Sequence, residues 1–325
     1  MFKILSIDGG GIRGVIPGTI LQHIETEIGK PISEIFDLIF GTSTGGILAA
    51  GLTVPGANNK PKFSAAEMVT LYTEHGADIF HQSPWDKVSS GGGVWDELYS
   101  HKNLEQLLKQ RLGETELKDT LCPIALTSYD IELRQPYFFK TSRAQKSSGR
   151  NHLLRDAARA TSAAPTYFEP AEIMSLSRPQ VRRALIDGGV FVNNPTICAY
   201  AEAKTLSYRD EDLLVVSLGT GVGNWKIPYD DAKDWGKVGW VRPLISVMMD
   251  GASDAVDFQM NQLLPGNGSG KKQRYFRLDT DLKLASEEMD DPKPGNIQNL
   301  KDEANRIIEE NTAQLETLFK LLDKK

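Results

Sequence analysis

The sequence predicts an α/β protein of three layers, in which a mostly parallel central sheet is covered by helices on both faces. Short apolar runs typical of buried strands alternate with segments whose apolar residues recur at helical spacing. Two of these runs, 2–7 and 37–40, end in glycine-rich turns that lead directly into helical patterns. This alternation favours βαβ units, whose strands run parallel.

The elements follow from local signals. Helix 65–78 has Ser64 at its N-cap position and Glu67 three residues later, which is the spacing of a capping box. Asn194 and Pro195 form a typical helix start. An amphipathic helix at 300–322 is expected to pack against the body of the protein. The other predicted elements are helices 15–29, 46–52, 103–112, 153–161 and 195–207 and strands 2–7, 37–40, 122–129, 136–139, 183–186 and 213–217.

Composition predicts one domain over 1–325, with 226–325 as its C-terminal part ending in the long helix. Hydrophobic residues make up 40%, enough for a large core, and the net charge of −6 argues against nucleic-acid binding. No apolar run approaches the ~20 residues that span a bilayer. The chain begins with a strand instead of a signal peptide and has two cysteines, which together predict a cytoplasmic location with peripheral membrane contact left open.

A candidate nucleophile lies in the segment Gly41-Thr42-Ser43-Thr44-Gly45. An apolar strand precedes this segment and an apolar helical run follows it, so Ser43 stands at a sharp strand-to-helix turn. A G-x-S-x-G in that context is the nucleophile elbow of serine hydrolases. The position at a helix N-terminus favours negative charge on the serine oxygen.

The histidines indicate which kind of hydrolase this is. In α/β-hydrolases the order along the chain is Ser, Asp or Glu, then His. All five histidines lie before Asp187, which follows the short apolar strand 183–186 and precedes Gly188 and Gly189. The usual triad order cannot be completed, so a pair of Ser43 with Asp187 as the lone base fits better. Such a base requires a buried carboxyl group with a raised pKa.

A glycine-rich turn supplies the third part of the candidate site. Asp8-Gly9-Gly10-Gly11-Ile12-Arg13-Gly14 lies between strand 2–7 and helix 15–29. Such a turn exposes backbone N–H groups that can bind a phosphate or an oxyanion. Arg13 adds a positive charge nearby, and a purely structural ion pair is its alternative role.

These three segments resemble the signatures of the patatin-like lipid acyl hydrolases. Further resemblance lies at 117–121, 127–131, 160–168, 193–195 and 217–221, and weaker similarity extends towards the C-terminus. The resemblance implies a phospholipase A-type esterase that forms a covalent acyl-enzyme on Ser43, with Asp187 as the dyad partner. It implies an oxyanion hole from the N–H groups of Gly10 and Gly11, with Arg13 steadying the loop or a lipid phosphate.

The same resemblance implies a membrane or micellar lipid as substrate and no cofactor or metal. Phospholipid, galactolipid and monoacylglycerol esters all remain open. The stretch 76–99, with Trp85 and Trp95, is a candidate for lipid access, and ordinary packing is the stronger interpretation of its tryptophans.

Two other functions are compatible with parts of the sequence. Gly9-x-Gly11-x-x-Gly14 has the spacing of a dinucleotide-binding oxidoreductase, but Glu34, at the distance of the expected acidic residue, precedes an apolar run instead of ending a strand. A non-catalytic lipid-binding protein with the same fold would be expected to have lost Ser43 or Asp187, and both are present.

Overall fold

The computed structural model describes residues 1–80, 99–223, 226–266 and 272–324. Its centre is an eight-stranded sheet in the order β5-β6-β3-β2-β1-β7-β8, with β4 also paired to β3. The predicted lipid-access stretch falls largely outside the described residues. The strands are β1 Phe2–Ile7, β2 Leu38–Gly41, β3 Ile124–Asp130, β4 Gln135–Lys140, β5 Ala171–Met174, β6 Arg182–Asp187, β7 Leu213–Leu218 and β8 Tyr275–Leu278.

Helices flank the sheet and connect most of its strands. The capping box predicted before α4 is present, because Ser64 N–H donates to Glu67 and Glu67 N–H donates to Ser64 Oγ. The helices in the described ranges are α1 Val15–Ile28, α2 Ile32–Ile35, α3 Thr44–Thr53, α4 Ala65–Ile79, α5 His101–Leu112, α6 Thr141–Ala144, α7 Leu154–Thr161, α8 Thr196–Thr205, α9 Tyr229–Ala232, α10 Lys237–Leu263, α11 Pro294–Glu310 and α12 Thr312–Leu322.

The middle of the sheet is parallel, as predicted. β1 pairs in parallel with β2 and with β7, and β7 pairs in parallel with β8. Successive side chains of β1 point to opposite faces, and both faces are covered. Leu5 and Ile7 join a core cluster with α1, α3, α4, α11 and α12, whereas Ile4 packs with α8 and α10. This is the α/β/α arrangement of three layers.

Strand β3 brings two other strand ends together. Its first residues, 124–126, pair in parallel with β2, and 128–130 pair antiparallel with β6, while β4 pairs with 125–130. Strand β4 pairs along one edge of β3. The strands β2 and β6 therefore share the other edge, and they run towards each other. β2 ends at Gly41 opposite Leu126, and β6 ends at Asp187 opposite Ser128. The two carboxyl ends therefore meet head to head.

The C-terminal part differs from the prediction in two respects. The helix expected at 300–322 is two helices that break at Asn311, whose side-chain amide donates to Ile307 O at 2.8 Å. Its predicted packing role is confirmed, since Ile307 and Leu315 are buried in the same core as α1. Strand β8 and the helices α9 and α10 of this part were not predicted, and neither was strand β5 earlier in the chain. None of the helices in the described ranges is long and apolar enough to cross a membrane.

Candidate active site

Ser43 occupies the strained turn that the sequence predicts. It lies between β2 and α3 with φ 54° and ψ −121°, a conformation that costs a non-glycine residue about 1–3 kcal/mol. Its carbonyl accepts from Ile47 N–H at 3.0 Å, which is the first hydrogen bond of α3. The side chain is 9% exposed. Ser43 is therefore presented at the helix N-terminus in a largely enclosed site.

The glycines of this turn are required by close backbone approach. A Cβ on Gly41 would overlap the carbonyl of Gly45, because the end of β2 and the start of α3 pass against each other. A Cβ on Gly45 would overlap the carbonyl of Ile7, at the end of β1. Only glycine fits at both positions.

Thr161 holds the backbone of Ser43 and was not identified from the sequence. Ser43 N–H donates to Thr161 Oγ1 at 3.0 Å, and Thr161 is fully buried at the end of α7. The only sequence signal was its place in the segment 160–168, which resembles the family without indicating a role for this residue. Thr161 fixes the orientation from which the Ser43 side chain projects.

The Ser43 hydroxyl faces the Asp187 carboxyl closely enough to favour its ionised form. Asp187 is 4% exposed and accepts from Gly189 N–H at 2.7 Å. Burial raises the pKa of Asp187 to about 7, although both contacts favour its ionised form. Gly188, next in the chain, packs against Thr127 so closely that a Cβ there would overlap the Thr127 side chain. The two predicted side chains are thus in contact.

The four described histidines lie elsewhere. His152 is buried between Tyr137 and Met174 O, and burial lowers its pKa to about 4. His101 contacts Glu169 at 2.8 Å. His75 contacts Asp78 at 3.5 Å, and His23 packs against Phe319. His81 falls outside the described residues. The contacts of Asp187 that the structure describes contain no imidazole.

The glycine-rich turn lies beside the serine. The position of a Cβ on Gly9 would be 3.3 Å from Ser43 Cβ. Thr220 Oγ1 donates to Gly9 O at 2.8 Å, and Ile12 N–H donates to Met289 O at 2.8 Å. Among the described residues, no acceptor contacts the N–H groups of Gly10 and Gly11. These two donors therefore have no acceptor in the described part of the chain.

Arg13 is buried on the far side of this turn. It is 3% exposed, and burial lowers its pKa, opposed by the charges of Asp250 and Asp279. Its Nε has no partner among the described residues. Arg13 lines a cavity of about 250 Å³ whose wall does not include Ser43 or Asp187. The structure therefore places Arg13 at a neighbouring cavity, apart from Ser43 and Asp187.

This cavity contains residues that the sequence analysis missed. Arg277 on β8 bonds to Asp8 at 2.7 Å and to Asp279 at 2.5 Å. The rest of the wall comes from the turn after β7, the segment after β8 and one face of α10: Thr220, Gly221, Val222, Thr280, Asp281, Asp250, Ser253, Asp254 and Asp257, together with Asn193. No group of His, Cys, Asp or Glu in the described ranges is arranged to hold a metal ion.

Comparisons with known proteins found the following similarities. A sequence model of patatin-like phospholipases matches residues 5–200. Patatin-like protein 2 of Oryza sativa subsp. indica is 33% identical over 97% of this chain and 86% of its own length. Patatin group J-1 of Solanum tuberosum is 32% identical over 92% of this chain and 81% of its own length. The crystal structure of VipD from Legionella pneumophila aligns with 95% of this chain and 67% of the VipD chain, with 14% identity and a TM-score of 0.41.

Proposed function

The chain belongs to the patatin-like phospholipase family, and we propose that it hydrolyses the acyl esters of lipids with Ser43 as nucleophile and Asp187 as general base. The family supports lipid acyl hydrolase activity. The closeness of the Ser43 hydroxyl to a buried carboxyl whose pKa lies near 7 is the observation on which the two residue roles depend. A base with that pKa is half ionised at neutral pH and can both accept and return a proton.

In the first step Asp187 takes the proton of the Ser43 hydroxyl as its oxygen attacks the ester carbonyl. The negative charge of the tetrahedral intermediate then develops beside the glycine-rich turn. We assign its stabilisation to the N–H groups of Gly10 and Gly11, with support from their lack of other acceptors in the described part of the chain. Losing one such donor costs on the order of 100- to 1000-fold in rate.

Collapse of the intermediate releases the lysolipid or alcohol, which receives the proton from Asp187. Ser43 then carries the acyl group, and Asp187 activates water for the second attack. Asp187 then returns the proton from water to Ser43 as the fatty acid leaves, so no other ionisable group is needed in this scheme. The raised pKa of Asp187 is essential to it, because a carboxylate of ordinary pKa is too weak a base for a serine hydroxyl.

The alternative functions have less support. Glu34 lies in α2, before β2, so it is not at the strand end where a dinucleotide ribose would be recognised. A non-catalytic lipid carrier would gain nothing from a strained serine beside a buried carboxyl, since such strain is retained where function requires it.

We further propose that one face of α10 contacts the lipid surface. Met249 on this helix lies near Gly189, with its Cε 3.4 Å from the position of a Gly189 Cβ, so α10 borders the Ser43–Asp187 pair. Its outer face carries large apolar side chains that are 36% to 67% exposed: Trp240, Leu244, Val247, Met248 and Phe258. An exposed apolar face beside a lipid-hydrolysing site is suited to peripheral contact with a membrane or micelle.

The proposal is tested with Ser43→Ala. Purified wild-type protein is incubated with a mixed lipid extract, and the products are identified by mass spectrometry. Wild type should release free fatty acids and lysolipids, whereas Ser43→Ala should release none above background. Ser33→Ala is the matched control, because Ser33 is also buried and its hydroxyl has no partner among the described residues. Equal product formation by Ser43→Ala and wild type would refute the proposal.

A further inference from the structure

The cavity beside the active site has an excess of negative charge. Of its two guanidinium groups, Arg277 is matched by Asp8 and Asp279 through hydrogen bonds. This leaves Arg13 facing the remaining carboxylates of the wall, which are Asp250, Asp254, Asp257 and Asp281. Asp257 accepts from Tyr275 OH at 2.7 Å and Asp250 from Ser246 Oγ at 3.3 Å, and neither bond neutralises the charge.

Three polar side chains that line this cavity are almost fully buried and incompletely bonded. Asp8, Arg13 and Asn193 are 2%, 3% and 6% exposed. Asp8 Oδ1, Arg13 Nε and Asn193 Oδ1 have no hydrogen-bond partner within the described residues. A buried polar group without a partner costs about 1–3 kcal/mol, so a ligand towards which these side chains can turn would be favoured. Two of the three atoms are acceptors and one is a donor.

Asn193 links this cavity to the reacting pair. Its Oδ1 is 2.5 Å from the position of a Gly9 Cβ and 3.5 Å from that of a Gly189 Cβ. Ser43 Cβ lies 3.3 Å from the same Gly9 Cβ position, and Asp187 Oδ1 lies 3.1 Å from the same Gly189 Cβ position. Asn193 therefore lies between the Ser43–Asp187 pair and the cavity.

We infer that this cavity binds the zwitterionic headgroup of an aminophospholipid, with the ammonium between the carboxylates on α10 and the phosphate on the Arg13 side. The inference depends on the proposed function and specifies its substrate class. The acidic face of α10, with Asp250, Asp254 and Asp257 at successive turns, is the new element. A primary ammonium offers both positive charge and N–H donors for the unpartnered acceptors, and Arg13 offers a charge-assisted donor to phosphate.

Other ligands fit the wall less well. The described carboxylates are not arranged as a metal site. An anionic headgroup would add negative charge to an already acidic wall, which is unfavourable at short range. A quaternary ammonium has no N–H donor for Asp8 Oδ1 or Asn193 Oδ1. The volume of about 250 Å³ is small for a whole ligand and suits a headgroup.

The test compares headgroups at constant acyl composition. Vesicles doped with dioleoyl phosphatidylethanolamine, phosphatidylcholine or phosphatidylglycerol are hydrolysed by wild type, Asp254→Asn and Asp231→Asn. Each rate is divided by the rate of the same variant on p-nitrophenyl butyrate, which has no headgroup. Asp231 is the matched control, since it is exposed on α9 and does not line the cavity. Wild type and Asp231→Asn should prefer phosphatidylethanolamine, and Asp254→Asn should lose about twofold to fivefold of its preference over phosphatidylglycerol.

A second measurement does not depend on catalysis. Titration calorimetry with O-phosphoethanolamine should show binding to wild type and to Ser43→Ala and weaker binding to Asp254→Asn, with phosphocholine weaker than phosphoethanolamine throughout. Equal headgroup rates for wild type, or an unchanged preference in Asp254→Asn, would overturn the inference while leaving the esterase proposal intact. If wild type hydrolyses no ester, the proposed function fails. In that case the calorimetry decides on the cavity separately, and absence of phosphoethanolamine binding would overturn this inference.

Discussion

The pH dependence of hydrolysis follows from the position of Asp187. Burial moves the pKa of its carboxyl from 3.8 to about 7. A protonated carboxyl cannot accept the Ser43 proton, so kcat/KM should fall about tenfold per pH unit below 7 and reach about 1% of its plateau at pH 5. A carboxylate with an ordinary pKa would keep nearly full activity at pH 5.

The assay uses p-nitrophenyl butyrate, a neutral ester, so that only the enzyme titrates. We expect kcat/KM to rise through a single pKa near 7 and to remain level to pH 9. The profile is then repeated at several temperatures. Ionisation of a carboxylic acid has an enthalpy near zero, whereas that of an imidazolium is large, so an Asp187 pKa should hardly move on warming.

Two results would refute this reasoning. An acidic limb with a pKa near 4 would mean that the Asp187 carboxyl is solvated in the working enzyme. A limb near 7 that shifts markedly with temperature would indicate a histidine, and His81, which the structure does not describe, would then be the first to substitute.

Three further predictions concern the same site and its surroundings. Asp187→Asn should be inactive yet more stable than wild type at pH 8, by about 1–4 kcal/mol in denaturant unfolding. Because the pKa of Asp187 is raised in the folded protein, its contribution to stability is present at low pH and is lost as pH rises through 7. A less stable variant at pH 8 would contradict this. Thr161→Val should lower kcat about 10- to 100-fold with little change in KM, since it leaves the Ser43 N–H without its acceptor. The pKa of the acidic limb of its pH profile should be that of wild type. An unchanged kcat would mean that Thr161 is not a positioning residue. Met248→Glu with Phe258→Glu should lower the ratio of vesicle to p-nitrophenyl butyrate hydrolysis at least tenfold by introducing charge on the exposed apolar face of α10; an unchanged ratio would exclude this face as the lipid contact.

The strand-turn-helix around Ser43 could be predicted because all of its determinants are local. Gly41 is needed because the end of β2 passes against the start of α3, and the apolar runs on either side define the strand and helix; the approach of Gly45 to Ile7 in β1 is the one contact that is not local. The placement of Asp187 at a strand end was also predicted. Its geometric reason was not, since β6 runs antiparallel to β3 and meets β2 head to head, whereas the carboxyl-end rule describes parallel strands.

The cavity could not be predicted from sequence, because its wall comes from segments far apart in the chain. Asp250, Asp254 and Asp257 have the spacing of a solvated helix face, and only the tertiary structure places them against Arg13. Thr161 is similar, since one hydroxyl in an alanine-rich helix gives no local sign of a contact with Ser43. Side chains that act through long-range contacts leave no periodic pattern in the sequence.

The most direct measurement of the central claim is active-site labelling. Wild type, Ser43→Ala and Asp187→Asn are treated with a lipid-like fluorophosphonate, and the labelled peptides are identified by mass spectrometry. We predict one adduct per chain, on Ser43, formed rapidly by wild type and at least about 100-fold more slowly by Asp187→Asn. Stoichiometric labelling of another residue, or equal rates for wild type and Asp187→Asn, would contradict the account.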